Sequence, residues 1–316
     1  MTLYSTLPPS SAGTAPSLFE QLRPAHSVES VLRLYHLDAA LHLKLSSLFD
    51  ITLSMVLEVW RLKHDMDAVV ASGVWPFIGY VDLQTPDLPL AGGRAAEFRT
   101  AIRAGRLTTA DRSDGMMVLA TEVDVLALRG GGKAQDFMHA AEGAREPAAK
   151  LRVMNNLVRP MAVPSERAVR VMPPELQELD VAPCAPAPST AELLLLPEGT
   201  SSSARVELRG RWAQHHTDAN QLVYSNEYVR VAENACGELA HLAGLAPNAL
   251  RMLRGQLAPK RPFFAGQEYW ARADLQRSAD GKHATALVAF HGAAAPGVAE
   301  ERPSTAVRID AAIAIG

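Results

Sequence analysis

The 316 residues (34.0 kDa) predict two domains, at about 150 residues for each. A hydrophobic share of 48% against 21% charged gives each half enough apolar mass for a core and excludes disorder throughout. The net charge of −3 excludes a global basic field for nucleic acid or an anionic membrane; Cys184 and Cys236, without a CxxC pair, exclude a disulfide scaffold or Cys-rich zinc site.

Residues 1–27 are rich in Ser, Thr and Pro, hold no acid before Glu20 and no Arg before Arg23, and are expected to form a flexible tail. They lack the basic start and long apolar block of a secretory signal. The longest apolar run, residues 51–60, already contains Glu58 and falls short of the roughly 20 residues a membrane helix requires. A cytoplasmic location is expected, with an organellar matrix as the alternative.

The first domain is placed at 28–169. A short strand ends at His36, Asp38 and Ala39, and a helix follows in which Leu48, Ile51, Met55, Val59 and Leu62 fall at spacings of three and four. Because Phe49, Leu53, Val56 and Trp60 flank that stripe, the helix is expected to be buried nearly all round. Strands come next: the string VDLQTPDLPLAGG at 81–93, then an alternating pattern turned by RSDG at 112–115. Residues 170–204 are proline-rich, close on a serine run and read as a linker, with Leu193 to Leu196 as a short strand or a patch lying on one domain. The second domain, 205–316, repeats the landmarks in order. His216, Asp218 and Ala219 lie 180 residues after their counterparts, and Tyr228, Val231, Ala235, Leu239 and Leu242 form the helical stripe. GQLAPKRPFFAGQ at 255–267 matches 81–93, and RSADG at 277–281 makes the hairpin. Three landmarks in register point to an internal duplication.

A helix apolar over most of its circumference requires cover on several sides, which a curved antiparallel sheet supplies. The expected architecture is α+β: two sheets, each wrapped around a long central helix, joined edge to edge.

The string HTDANQLVYSNEYVRVAENA at 216–235 resembles the start of the hotdog thioesterases, especially the acyl-carrier-protein thioesterases, whose pattern is roughly Asp-x-Asn-x-His-Val-Asn-Asn-x-x-Tyr. Asp218, Asn220, Val223 and Tyr228 fall on it; Leu222 stands at its His, and Tyr224 and Ser225 at its Asn pair. Two fused hotdog units agree with the length. The resemblance implies hydrolysis of an acyl-CoA or acyl-carrier-protein thioester. Backbone N–H groups at the central helix N-terminus would hold the oxyanion, and a carboxylate or His would activate water. Asp218 and Asn220 are the leading candidates, and they equally suit capping of the loop. In the family the second acid lies on the strand after the helix, where this chain has Gln256. The first half carries Asp38, His42 and Asp82 at matching places, so one composite site, one surviving site or none is compatible with the sequence. Tyr228, Lys260 and Arg261 are candidate substrate contacts, the cations for the phosphates of coenzyme A or a phosphopantetheine arm, with a packing residue and a solvated turn as the alternatives.

No third ligand accompanies His64 and Asp67 or the pair His215 and His216, so no metal is implied, and nothing points to a cofactor. Residues 130–133 lack full phosphate-loop spacing and read as a hairpin tip; no GxSxG elbow occurs. Competing readings are hydration or acyl transfer on the same thioesters, and a catalytically silent hotdog that binds an acyl carrier or joins a homodimer or larger assembly.

Overall fold

The computed structural model describes residues 17–22, 26–108, 115–130, 143–218, 221–246, 248–295 and 297–314. The first half runs β1 (His26–Leu32), α1 (Leu45–Lys63), α2 (Met66–Ala71), β2 (Trp75–Gln84), β3 (Arg94–Leu107), β4 (Met117–Ala127) and β5 (Glu146–Val158). After β6 (Val181–Cys184) and α3 (Thr190–Leu193), the second runs β7 (Thr200–Arg211), α4 (Ser225–Leu242), β8 (Leu250–Pro259), β9 (Glu268–Ser278) and β10 (His283–His291). A small hairpin of β11 (Ala293–Ala295) and β12 (Val298–Ala299) precedes β13 (Thr305–Ile313). No helix among the described residues is long and apolar enough to cross a membrane.

The two halves have one topology. The strand order β1-β3-β4-β5-β2-β8-β13-β10-β9-β7 reads the same from either end once β7 to β13 are matched to β1 to β5. The halves meet where β2 and β8 pair antiparallel, with Asp82 opposite Gln256, so the two residues aligned by the repeat face each other across a pseudo-twofold axis. This joint removes an exposed edge from each half. The RSADG hairpin connects β9 to β10 as expected, whereas positions 112–114 of RSDG lie outside the described residues.

Both central helices lie on one face of the sheet. Leu48, Phe49, Val56, Val59 and Trp60 of α1 are buried, as are Tyr228, Val229, Ala232, Ala235, Cys236 and Leu239 of α4. The expectation that α1 is covered nearly all round requires correction: Leu57 is 49% exposed and Ser54, Glu58 and Arg61 face solvent, because the sheet, α4 and the short α2 leave that side of the helix uncovered. Gly255 lets the helix approach: a Cβ there would stand 3.0 Å from Leu45 Cδ1.

The opposite face is covered by chain that sequence reading assigned to tail and linker. Leu18, Phe19 and Leu22 at the N-terminus, Ala182 and Cys184 of β6, and Leu193 of α3 pack on Tyr80, Val118, Ala120, Met154 and Ala258. β6 also pairs in parallel with β3. Leu193 to Leu196 therefore begin as the end of a short helix, with Leu193 buried and Leu195 and Leu196 exposed. Burial of these apolar side chains, at about 25 cal/mol per Å², holds the segments against the sheet despite their prolines.

Candidate active site

Each central helix is preceded by a loop of the same construction. Asp38 Oδ1 accepts the N–H groups of Ala40 (2.8 Å) and His42 (2.9 Å); in the second copy Asp218 Oδ1 accepts that of Leu222 (3.0 Å). Leu41 and Gln221, again 180 residues apart, both hold left-handed backbone, at φ 64° and 63°. The two aspartates thus make the side-chain-to-backbone bonds that a sharp turn calls for. Burial opposes ionisation of Asp38, but the imidazole and N–H of His42 and the N–H of Ala40 outweigh it and lower its pKa. Asn220 lies outside the described residues.

A cavity of about 830 Å³ opens at the first of these loops. Asp38, His42 and Lys44 come from the loop, Ser46 and Asp50 from α1, Arg230, Glu233 and Asn234 from α4, and Arg251 and Met252 from β8. It therefore lies between the halves. His42 Nε2 stands 3.0 Å from Asp87 Oδ1, and its Nδ1 stands 3.6 Å from Asp38, beyond good hydrogen-bond reach. Arg251 of the second half donates to both oxygens of Asp87, at 2.9 and 3.1 Å. Asp38, His42, Asp87 and Arg251 thereby tie the first-half loop to β8.

The most informative contact was not anticipated. Glu233 Oε1 accepts the backbone N–H of Leu45 at 2.8 Å and of Ser46 at 3.3 Å, while Oε2 accepts the Ser46 hydroxyl. These N–H groups belong to the first turn of α1, where no intrahelical acceptor exists and the helix dipole favours negative charge. A carboxylate of one half therefore sits on the anion-binding end of the other half's helix. Burial raises the Glu233 pKa, in spite of the bonds from Ser46 and Leu45 and the charge of Lys44. Asp50 is also raised, chiefly by burial, against the attraction of Arg230 and a bond from Asn226; Arg230 bridges Asp50 and Glu227. One signal for Glu233 was present in the sequence: it adjoins the apolar stripe of α4, four residues after Val229 and three before Cys236, a costly place for an unpaired acid.

The pseudo-twofold equivalent differs. Leu53 of α1 occupies the place of Glu233, and Asn226 that of Ser46. Tyr228, a candidate substrate contact, belongs to a buried aromatic cluster: its ring lies 5.3 Å from those of Trp212 and Phe290, and its hydroxyl accepts the Phe263 N–H.

The other sequence candidates lie elsewhere. Asp82 and Gln256 share the sheet face of Tyr80 and Ala258, opposite the helices. Asp82 binds Arg254 through both oxygens at 2.7 and 2.9 Å, and Gln256 donates to the Tyr80 hydroxyl, whose pKa is pushed up to about 12 by burial first and then by Asp82. Lys260 and Arg261 both donate backbone N–H to Ser304 O; Arg261 pairs with Glu300 and lines a separate cleft with Phe264 and Arg211. His64 is paired with Glu178 at 2.7 Å. Cys184 and Cys236 are buried thiols, raised to about 11 and about 12, mainly by burial, which disfavours the thiolate that a nucleophile requires.

Solved structures with the same chain course are a putative oleoyl thioesterase from Lactobacillus plantarum (TM-score 0.63, 12% identity, covering 92% of this chain and 96% of that one) and the 12:0-ACP thioesterase from Umbellularia californica (0.58, 10%, 90% and 93%). An acyl-ACP thioesterase from Bacteroides thetaiotaomicron aligns at TM-score 0.53 and 10% identity over 90% and 97%. The fold is a double hotdog. No protein-family model and no curated protein sequence matches the chain, so the likeness rests on the arrangement of the double hotdog alone.

Proposed function

We propose that this double hotdog hydrolyses acyl thioesters, carried on coenzyme A or an acyl-carrier protein, at one site assembled from both halves. The observation that carries the proposal is the Glu233 carboxylate held on the Leu45 and Ser46 N–H groups at the wall of a shared cavity. A thioester carbonyl entering the cavity takes over those N–H donors, which are oriented before the reaction and strengthen as the oxygen becomes an oxyanion. Glu233, displaced by the carbonyl and freed toward the cavity, removes a proton from a water molecule as the water oxygen bonds to the thioester carbon. Collapse of the tetrahedral intermediate breaks the C–S bond, and the leaving thiolate takes the proton back from Glu233. A carboxylate whose pKa is raised by burial is a stronger base than an ordinary glutamate and suits both transfers. His42 acts as a positioning residue through Asp87 and Arg251, and Asp38 shapes the loop.

The test is release of free thiol from a panel of acyl-CoA and acyl-carrier-protein thioesters by the wild-type chain and Glu233→Gln. Thiol release that the substitution abolishes supports the proposal. Release that survives it moves the base elsewhere; addition of water to an enoyl thioester without thiol release assigns hydration instead. If no thioester reacts, the silent acyl-binding reading takes its place.

A further inference from the structure

Resting on that reading, we propose that the thioester is carried by coenzyme A, and that Tyr35, Arg33 and Lys44 at the cavity mouth hold its nucleotide end. Tyr35 sits on the single turn of 3-10 helix between β1 and the loop of the site, and both it and Lys44 line the cavity. Tyr35 is 62% exposed, and its ring makes a T-shaped contact with His36, with centroids 4.2 Å apart. The Arg33 guanidinium lies over the same ring, 6.0 Å from its centroid, with Nη1 3.5 Å from the Tyr35 hydroxyl, and Lys44 Nζ donates to Tyr35 O at 3.1 Å, so both cations are gathered around one exposed side chain.

The charges around the cavity sort into two groups. Arg230 and Arg251, within it, are neutralised by Asp50, Glu227 and Asp87. Among the described residues neither Arg33 nor Lys44 has a carboxylate within salt-bridge distance. Two cations outside salt-bridge distance of any described carboxylate, beside an exposed aromatic ring, suit a ligand with a purine face and phosphates: a π-face to stack, and anions that both a guanidinium and an ammonium bind. Coenzyme A presents all of these beyond its pantetheine arm, whereas a phosphopantetheine on a carrier protein has no purine. The repeat supplies an internal control. At the equivalent positions of the second half stand Ala213, His215 and Tyr224, so the cationic rim is present only where the opposing helix carries Glu233 rather than Leu53.

The experiment compares kcat/KM for butyryl-CoA, butyryl-pantetheine and a butyryl-carrier protein in the wild type, Tyr35→Ala and the double variant Arg33→Ala with Lys44→Ala. The expected result is a wild-type preference for butyryl-CoA. In each variant, a fall of about tenfold in the ratio of kcat/KM for butyryl-CoA to that for butyryl-pantetheine, carried by KM, is the scale of one lost stacking or phosphate contact. A ratio that does not move, or a wild-type preference for the carrier protein, overturns the inference while leaving thioester hydrolysis in place. Should no thioester be cleaved, calorimetric titration of wild type and Tyr35→Ala with desulfo-CoA decides it: binding weakened by the substitution sustains the nucleotide site, and no binding to the wild type refutes it.

Discussion

Glu233 is the residue on which chemistry and stability separate most cleanly. Its carboxylate receives three hydrogen bonds, from the N–H groups of Leu45 and Ser46 and the Ser46 hydroxyl, 187 residues away in sequence at the nearer. Glu233→Ala strips the acceptor from two first-turn N–H groups of α1. A hydrogen bond to a charged group contributes about 1.5–3 kcal/mol, but the cavity lets water re-form part of the set, so a net loss of about 2 kcal/mol is expected. At roughly 2–4 °C per kcal/mol this lowers Tm by about 4–8 °C. Glu233→Gln keeps one oxygen for the N–H groups, while the Ser46 hydroxyl can rotate to accept from the new amide, so its cost is about 1 kcal/mol or less. Loss of a positioned base nevertheless lowers kcat by about 10²–10⁴ in both variants. The assay is thiol release under saturating thioester, with Tm measured on the same preparations. A Gln variant that turns over within about threefold of wild type would refute the assignment, because nothing else in the substitution removes so little stability with so much chemistry.

Other outcomes follow from the same contacts. Because burial lifts the Glu233 pKa, the acid limb of the pH–rate profile should lie above the ordinary glutamate value of about 4.3, where a solvent-exposed base would place it. A raised folded-state pKa gives stability that is fully present below the unfolded pKa and lost as pH rises through the folded one. The Tm of wild type relative to Glu233→Gln should therefore fall as pH rises through that window, and a constant difference would deny the shift. Asp218→Ala removes the bond to the Leu222 N–H, in the loop of the half without a Glu233 counterpart; Tm should drop by an amount equivalent to about 1 kcal/mol with thiol release retained in the folded fraction, and loss of turnover at unchanged Tm would restore Asp218 to the chemistry. Asp82→Ala leaves Arg254 without its bidentate partner on the face opposite the helices, so denaturant unfolding should report a loss of about 2–4 kcal/mol while KM stays constant.

Much of the architecture is legible in the residues, and its limits have physical causes. The 180-residue repeat shows because each copy keeps the same loop bonds and the same left-handed position, and both helices show because their buried stripes are spaced at three and four. The pairing of Asp82 with Gln256 can be aligned, but not the face they occupy. Tyr80, Val81, Asp82 and Leu83 are all buried, so β2 has no alternation of apolar and polar residues to tell its sides apart, and a bulge near Gly79 shifts the register. The covering role of Leu18 and Phe19 is hidden because they form a short apolar pair within proline-rich chain, whereas the Leu193 to Leu196 run stands out as a patch and Leu193 is the part of it that packs on the sheet. Glu233 eludes a reading by homologous position, since the repeat aligns it with Leu53; its meaning arises only when the second helix is laid against the N-terminus of the first.

The seam between β2 and β8 has a mechanical consequence. Four residue pairs, Val81 to Gln84 with Leu257 to Arg254, stitch the halves together, and the Asp82–Arg254 clasp crosses the same line. Neither half can melt without tearing its neighbour's sheet and withdrawing either the helix end or the glutamate from the cavity. Two polypeptides made by severing the crossing stretch near Leu195 and Leu196, which is exposed, should accordingly find each other and restore what neither holds by itself.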